Sequence, residues 1–135
     1  MSVKTYTGGC HCGAVRYEAD IDLSTGTSRC NCSMCTKLRK WGTLVKPDAF
    51  RLLSGEQDLS SYQFGGKVGT YLFCKHCGIH SFSRGYLEVL GGDFVSIHLG
   101  ALNNATDSEL AATPVQFQDG RNNNWFQPPA ETRHM

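Results

Sequence analysis

Charge is what this chain has little of. Only 19% of its 135 residues are charged, and 13 basic side chains against 12 acidic ones leave a formal charge of +1. That balance gives no electrostatic case for nucleic acid or an acidic membrane surface as a partner. No apolar run approaches the ~18 residues of a membrane span. The opening Met1-Ser2-Val3-Lys4-Thr5-Tyr6 has no apolar signal-peptide core, so a cytoplasmic protein is expected. No glycine-rich phosphate motif sits between a strand and a helix, and no nucleotide cofactor is expected. Repeats at a period of about 20–50 residues are absent. Length alone, against ~150 residues per domain, predicts one domain over 1–135, with a core from about 5 to 120 and a tail over 121–135.

Cysteine and glycine are what it has in plenty, at 7 and 15 residues. Glycines spaced at short intervals suit many short strands joined by turns. Alternating apolar, β-branched and aromatic positions predict strands over 13–19, 27–30, 43–46, 50–53, 60–64, 70–74, 79–84 and 94–99. A further edge strand is expected over 115–118. Ser33 reads as the N-cap of one or two helical turns reaching Lys40. A second short helix is expected from Asp107 to Ala112, closed by Pro114. The tail reads as a surface-wrapping or partly ordered segment, pinned by Trp125 and Phe126.

An odd number of cysteines leaves one thiol out of any full disulfide framework. Cytosolic thiols are kept reduced, so metal is the better reading. The thiols fall in three clusters: Gly9-Cys10-His11-Cys12-Gly13, Cys30-Asn31-Cys32-Ser33-Met34-Cys35 and Phe73-Cys74-Lys75-His76-Cys77-Gly78. Such spacings let one segment give two or three thiolates to a single ion, and zinc takes thiolates in a tetrahedral shell. Two partitions satisfy this chemistry. In one, Cys10, Cys12, Cys74 and Cys77 close a four-ligand structural site. Cys30, Cys32 and Cys35 then form a three-thiolate group with an open position, the signature of catalytic zinc. In the other, the first cluster joins two thiols of the second. That partition strands Cys74 and Cys77 and ranks lower. Arg29, Lys37 and Lys75 stand beside the clusters, where cations help keep thiolates ionised.

At these residues the chain resembles the glutathione-dependent formaldehyde-activating family, also called the centromere protein V family. The stretch Leu52-Leu53-Ser54-Gly55, followed by Tyr62-Gln63-Phe64, is similar to the family's middle segment. The stretch from Asp119-Gly120-Arg121 to Trp125 is similar to that of small bacterial members. The resemblance implies a mostly β fold of coiled antiparallel sheets around zinc, with few short helices, of the Mss type. It implies structural zinc on Cys10, Cys12, Cys74 and Cys77, and catalytic zinc, able to be lost, on Cys30, Cys32 and Cys35. The implied activity is condensation of formaldehyde with glutathione to S-hydroxymethylglutathione, and its reversal, a carbon–sulfur lyase reaction. The implied partners are a glutathione-like thiol and a small aldehyde.

Other residues carry competing readings. His80, on a predicted strand, is the candidate general acid–base, against an ordinary hydrogen-bonded strand histidine. His11 and His76 lie between ligands, where the side chain points away from the metal. His98 alternates with apolar residues and reads as a packed sheet residue, while His134 belongs to the tail. Trp41 with Phe82 reads as a wall of the site or as core. Asn31 and Ser33 read as donors to the thiolates or as turn and cap residues. Two non-lyase functions stay open: a zinc-stapled interaction module, and a thiol redox or metal-handling protein using Cys30, Cys32 and Cys35.

Overall fold

The computed structural model describes residues 2–135. The chain is mostly β. In order it forms β1 (Lys4–Gly9), β2 (Arg16–Ile21), β3 (Thr27–Cys30), helix α1 (Ser33–Leu38), β4 (Trp41–Val45), β5 (Phe50–Ser54) and β6 (Leu59–Tyr62). It continues with β7 (Gly69–Cys74), β8 (Phe82–Leu87), β9 (Gly92–His98), helix α2 (Asp107–Ala112) and β10 (Val115–Gln118). Three strands make one sheet in the order β1-β2-β5, and seven make the other, β10-β3-β4-β9-β8-β7-β6. All pairings are antiparallel except β10 on β3, which is parallel and puts β10 at an edge.

An aromatic trio ties the two sheets together. Tyr17 of β2, Phe50 of β5 and Phe82 of β8 have ring centroids 4.7 to 5.5 Å apart. Aromatic pairs at this spacing add to the area they bury. Around them pack Val15, Ala19, Val95, Ile97 and Leu99, all without solvent exposure. The Tyr17 hydroxyl donates to the Ser81 carbonyl at 3.0 Å, so the one polar atom of the trio is satisfied. Phe82 is therefore core and does not wall the site. Among the described residues no helix is long and apolar enough to cross a membrane.

The strands depart from the sequence expectation where sulfur takes over the backbone. A strand is predicted from Gly13, but β2 starts at Arg16. The Val15 N–H points instead at the Cys10 sulfur, 3.3 Å away, and the Val15 carbonyl accepts from Cys10 N at 3.1 Å. Likewise β8 starts at Phe82 and not at Ile79, because the Ile79 carbonyl accepts from Cys74 N at 3.1 Å. His80 consequently lies in the connection before β8 and not on a strand. The pairing of β1 with β2 is the element that alternation missed. Tyr6, its one large apolar residue, is buried there. Helix α1 is capped by Cys32, not Ser33, with the sulfur accepting from Cys35 N. It stops short of Lys40 because Arg39 turns left-handed at φ 55°.

Candidate metal centres

The loop after β1 and the connection after β7 bring four sulfurs together. Those of Cys10, Cys12, Cys74 and Cys77 all lie within 4.8 Å of one another. The Cys10–Cys12 and Cys12–Cys74 sulfur separations are both 3.6 Å. That is too long for a disulfide, whose sulfurs sit ~2.0 Å apart. It matches the ~3.8 Å edge of a tetrahedron with zinc–sulfur arms of ~2.3 Å. Gly78 lets the second loop close, with φ +78° and its N–H on the Cys74 carbonyl at 2.8 Å. His76 N points at the Cys74 sulfur from 3.4 Å. Backbone N–H groups of Cys12 and Ile79 lower the Cys77 thiol to about 6, which favours the thiolate a metal needs. The donor set and its spacing fit zinc.

The second group is local. Cys30 ends β3, Cys32 caps α1 and Cys35 sits in its first turn, with all three sulfurs within 4.8 Å of one another. Cys32 N donates to the Cys30 sulfur at 3.3 Å, and Cys35 N to the Cys32 sulfur at 3.4 Å. Hydrogen bonds from the Cys30 and Cys35 thiols hold Cys32 well below the usual thiol range. Cys30 and Cys32 in turn push Cys35 far above it. Each further thiolate in so close a set is disfavoured until a cation offsets the charge. Among the described residues no fourth metal-binding side chain joins this group. Three thiolates with a free position are the donor set of a reactive zinc.

A brace from the tail holds this segment, and sequence reasoning missed it. Asn31, between two of the cysteines, is buried and donates to Asp119 at 2.9 Å. Its side-chain oxygen Oδ1 accepts from Arg121 N at 2.9 Å. Asn31 thus faces the tail and not the thiolates, and Ser33 is an exposed helix residue. A side chain at Gly120 would come within 2.5 Å of the Trp125 ring and 2.7 Å of the Cys30 sulfur, so only glycine fits. The sequence predicts that Trp125 and Phe126 pin the tail, but both are exposed, and the Trp125 ring lies against Gly120. The turn signal Asp119-Gly120 was legible, but its partner Asn31 is nearly ninety residues away.

Beside the three-sulfur group, Arg29, Lys37, Arg39, Trp41, His80 and His98 line an open groove of about 490 Å³. A smaller cavity of about 20 Å³ is lined by Cys30 and Cys35 with Arg29, Arg39 and Lys40, and by His134 and Met135 of the tail. The Trp41 indole N–H donates to Thr27 Oγ1 at 2.8 Å. The Arg29 guanidinium lies 4.8 Å from the Trp41 ring centre. The His80 ring stacks on Phe73 at 5.0 Å. Burial, then the Lys40 charge, lowers His80 below the usual imidazole range, and the same causes lower His98 to about 4. Both imidazoles are neutral at pH 7. Burial also lowers the Lys40 amine, against the opposing pull of the three thiols. His11 is exposed and His76 bonds Asp58 at 2.8 Å, so neither joins a sulfur group.

Two comparisons bear on this arrangement. The family model described as glutathione-dependent formaldehyde-activating enzyme matches residues 5–119. A crystal structure of a Rhodobacter sphaeroides protein, 25% identical in sequence, superposes with a TM-score of 0.67, covering 82% of this chain and 99% of that one.

Proposed function

We propose that this chain, which belongs to the glutathione-dependent formaldehyde-activating enzyme family, adds a small thiol such as glutathione to formaldehyde or a related small aldehyde, and reverses that addition. In this reading Cys10, Cys12, Cys74 and Cys77 hold a structural zinc, and Cys30, Cys32 and Cys35 hold the reactive one. When bound there, zinc supplies Lewis acidity, which lowers the pKa of a thiol or polarises an aldehyde oxygen. The reaction forms a carbon–sulfur bond and moves the thiol proton to the former carbonyl oxygen, with no oxidant or reductant. Neutral His80 has the protonation state to accept that proton and return it. Trp41 gives the groove an apolar wall, and Phe73 backs the His80 ring.

The observation that carries the reading is the three-sulfur group with no fourth side-chain donor among the described residues, whose small cavity at Cys30 and Cys35 shares Arg29 and Arg39 with an open groove. A closed four-sulfur site has no place for substrate, and this one does. The test pairs zinc stoichiometry by elemental analysis with the rate of hemithioacetal formation from glutathione and formaldehyde. Two zinc per chain and a rate above the uncatalysed background are expected. One zinc per chain with no acceleration sinks the proposal.

A further inference from the structure

Residues 128–135 reach back over the three-sulfur group. His134 and Met135 line the cavity beside Cys30 and Cys35. With the tail in place that cavity holds about 20 Å³, room for one water and not for a thiol of glutathione's size. The attachment of this stretch is slight. Gln127 is the last residue bonded to the body, its carbonyl accepting from Asp119 N at 3.0 Å. From Pro128 to Met135 every hydrogen bond among the described residues is internal to the segment. Pro128-Pro129 stiffens its start, since the rings fix φ and favour an extended Gln127. A turn then closes with the Met135 N–H on the Thr132 carbonyl at 3.0 Å, which puts Arg133 and His134 at its tip. Glu131 pairs with Arg133 at 2.8 Å, which removes the repulsion an unpaired arginine would meet from Arg29, Arg39 and Lys40 at the cavity. A stiff arm on one hinge, with no hydrogen bond to the surface it covers, opens at small cost.

We infer that residues 128–135 form an autoinhibitory strap that swings on Gln127 and seats His134 as the fourth ligand of the ion held by Cys30, Cys32 and Cys35. The inference rests on the proposed reactive metal site and adds its regulation. In the structure the His134 ring stands at the cavity without joining the sulfur set, so the strap is poised and not yet seated. An imidazole beside three thiolates completes the four-coordinate shell that zinc favours. Seating forms one metal–nitrogen bond through the lone pair of the neutral ring and needs no oxidant or reductant. The closed site has no position for thiol or aldehyde, and the open site has one. A ligand on a short tether competes at an effective concentration on the order of millimolar. Exchange between His134 and an incoming thiol then sets the fraction of protein ready to react.

The test reads coordination directly. The full chain is labelled with nitrogen-15 at histidine and loaded with cadmium-113, which takes thiolate sites as zinc does. Two cadmium resonances are expected, one of them split by coupling to a histidine nitrogen. His134→Gln should abolish the splitting and keep both resonances. Two resonances with no nitrogen coupling, or coupling that survives in His134→Gln, overturn the inference and leave the reactive site standing. A single resonance overturns the inference and the reactive metal site with it. Zinc-loaded protein gives a second readout. A chelator should take one of the two ions from His134→Gln about tenfold faster than from the parent, and the other at the parent rate. Turnover should rise about fivefold in His134→Gln at low thiol and converge with the parent at saturating thiol. Equal turnover at every thiol concentration overturns the inhibitory role. Coupling in a protein that accelerates no thiol–aldehyde addition upholds the strap and sinks the proposed reaction.

Discussion

Two groups of thiols share one chain and differ in how the chain reaches them. The four-sulfur group joins a loop of the three-stranded sheet to a connection of the seven-stranded one, and its members span Cys10 to Cys77. The three-sulfur group is written within six residues and needs only β3, a turn and the start of α1. A closed site made from distant segments cross-links the fold. A local, incomplete site leaves a position for something else. In the proposed reading the first serves stability and the second chemistry.

The sharpest way to break that contrast is to remove one ligand from each group. A structural zinc supplies ~10–16 kcal/mol of apparent binding energy, against a typical net stability of ~5–15 kcal/mol. Cys77→Ala is therefore expected to yield unfolded or aggregated protein. Soluble Cys77→Ala with cooperative unfolding at the parent temperature would make the four-sulfur group dispensable. Cys32→Ala should fold, melt within a few degrees of the parent, bind one zinc fewer and lose turnover to background. A zinc-depleted Cys32→Ala with unchanged turnover would move the chemistry elsewhere.

Smaller perturbations probe the surroundings of the three-sulfur group. Gly120→Ala forces a methyl against Trp125 and the Cys30 sulfur. Overpacking of this kind costs about 1–3 kcal/mol. Chelator competition should strip one zinc from Gly120→Ala faster than from the parent and leave the other as tightly held as before. Loss of both at equal rates would uncouple the tail brace from the three-sulfur group. The smallest effect concerns His98. Its folded pKa of about 4 lies below the unfolded ~6.5, so the unfolded chain takes up the proton first. The stability that neutral His98 contributes is complete above pH 6.5 and is lost as pH falls towards 4. Chemical denaturation at pH 7 and pH 5 should show His98→Gln losing about 1 kcal/mol less than the parent, after solvent screening of a half-buried site. Identical pH slopes would place His98 in solvent.

Much of the three-sulfur group was legible in the chain because its geometry is short-range. Cys30-Asn31-Cys32-Ser33-Met34-Cys35 has few ways to fold that do not bring its sulfurs near one another. The strands were legible to within a few residues wherever alternation met a buried face, as in β9. They failed beside Cys10 and Cys74, where sulfur competes for backbone N–H groups and alternation carries no sign of it. His80 fell to the same cause, since its predicted strand gave way to the turn around Cys74.

The sequence by itself determined that this chain is mostly β and rich in clustered thiols, because composition and short spacings act within one or two turns of backbone. Only the tertiary structure decided which distant cysteines meet, that Asn31 answers to Asp119, and that Arg29, Lys37 and Arg39 face one groove with no acid opposite. Those outcomes depend on strand pairing across tens of residues. Loop closure sets its entropic cost, and packing of Tyr17, Phe50 and Phe82 offsets it.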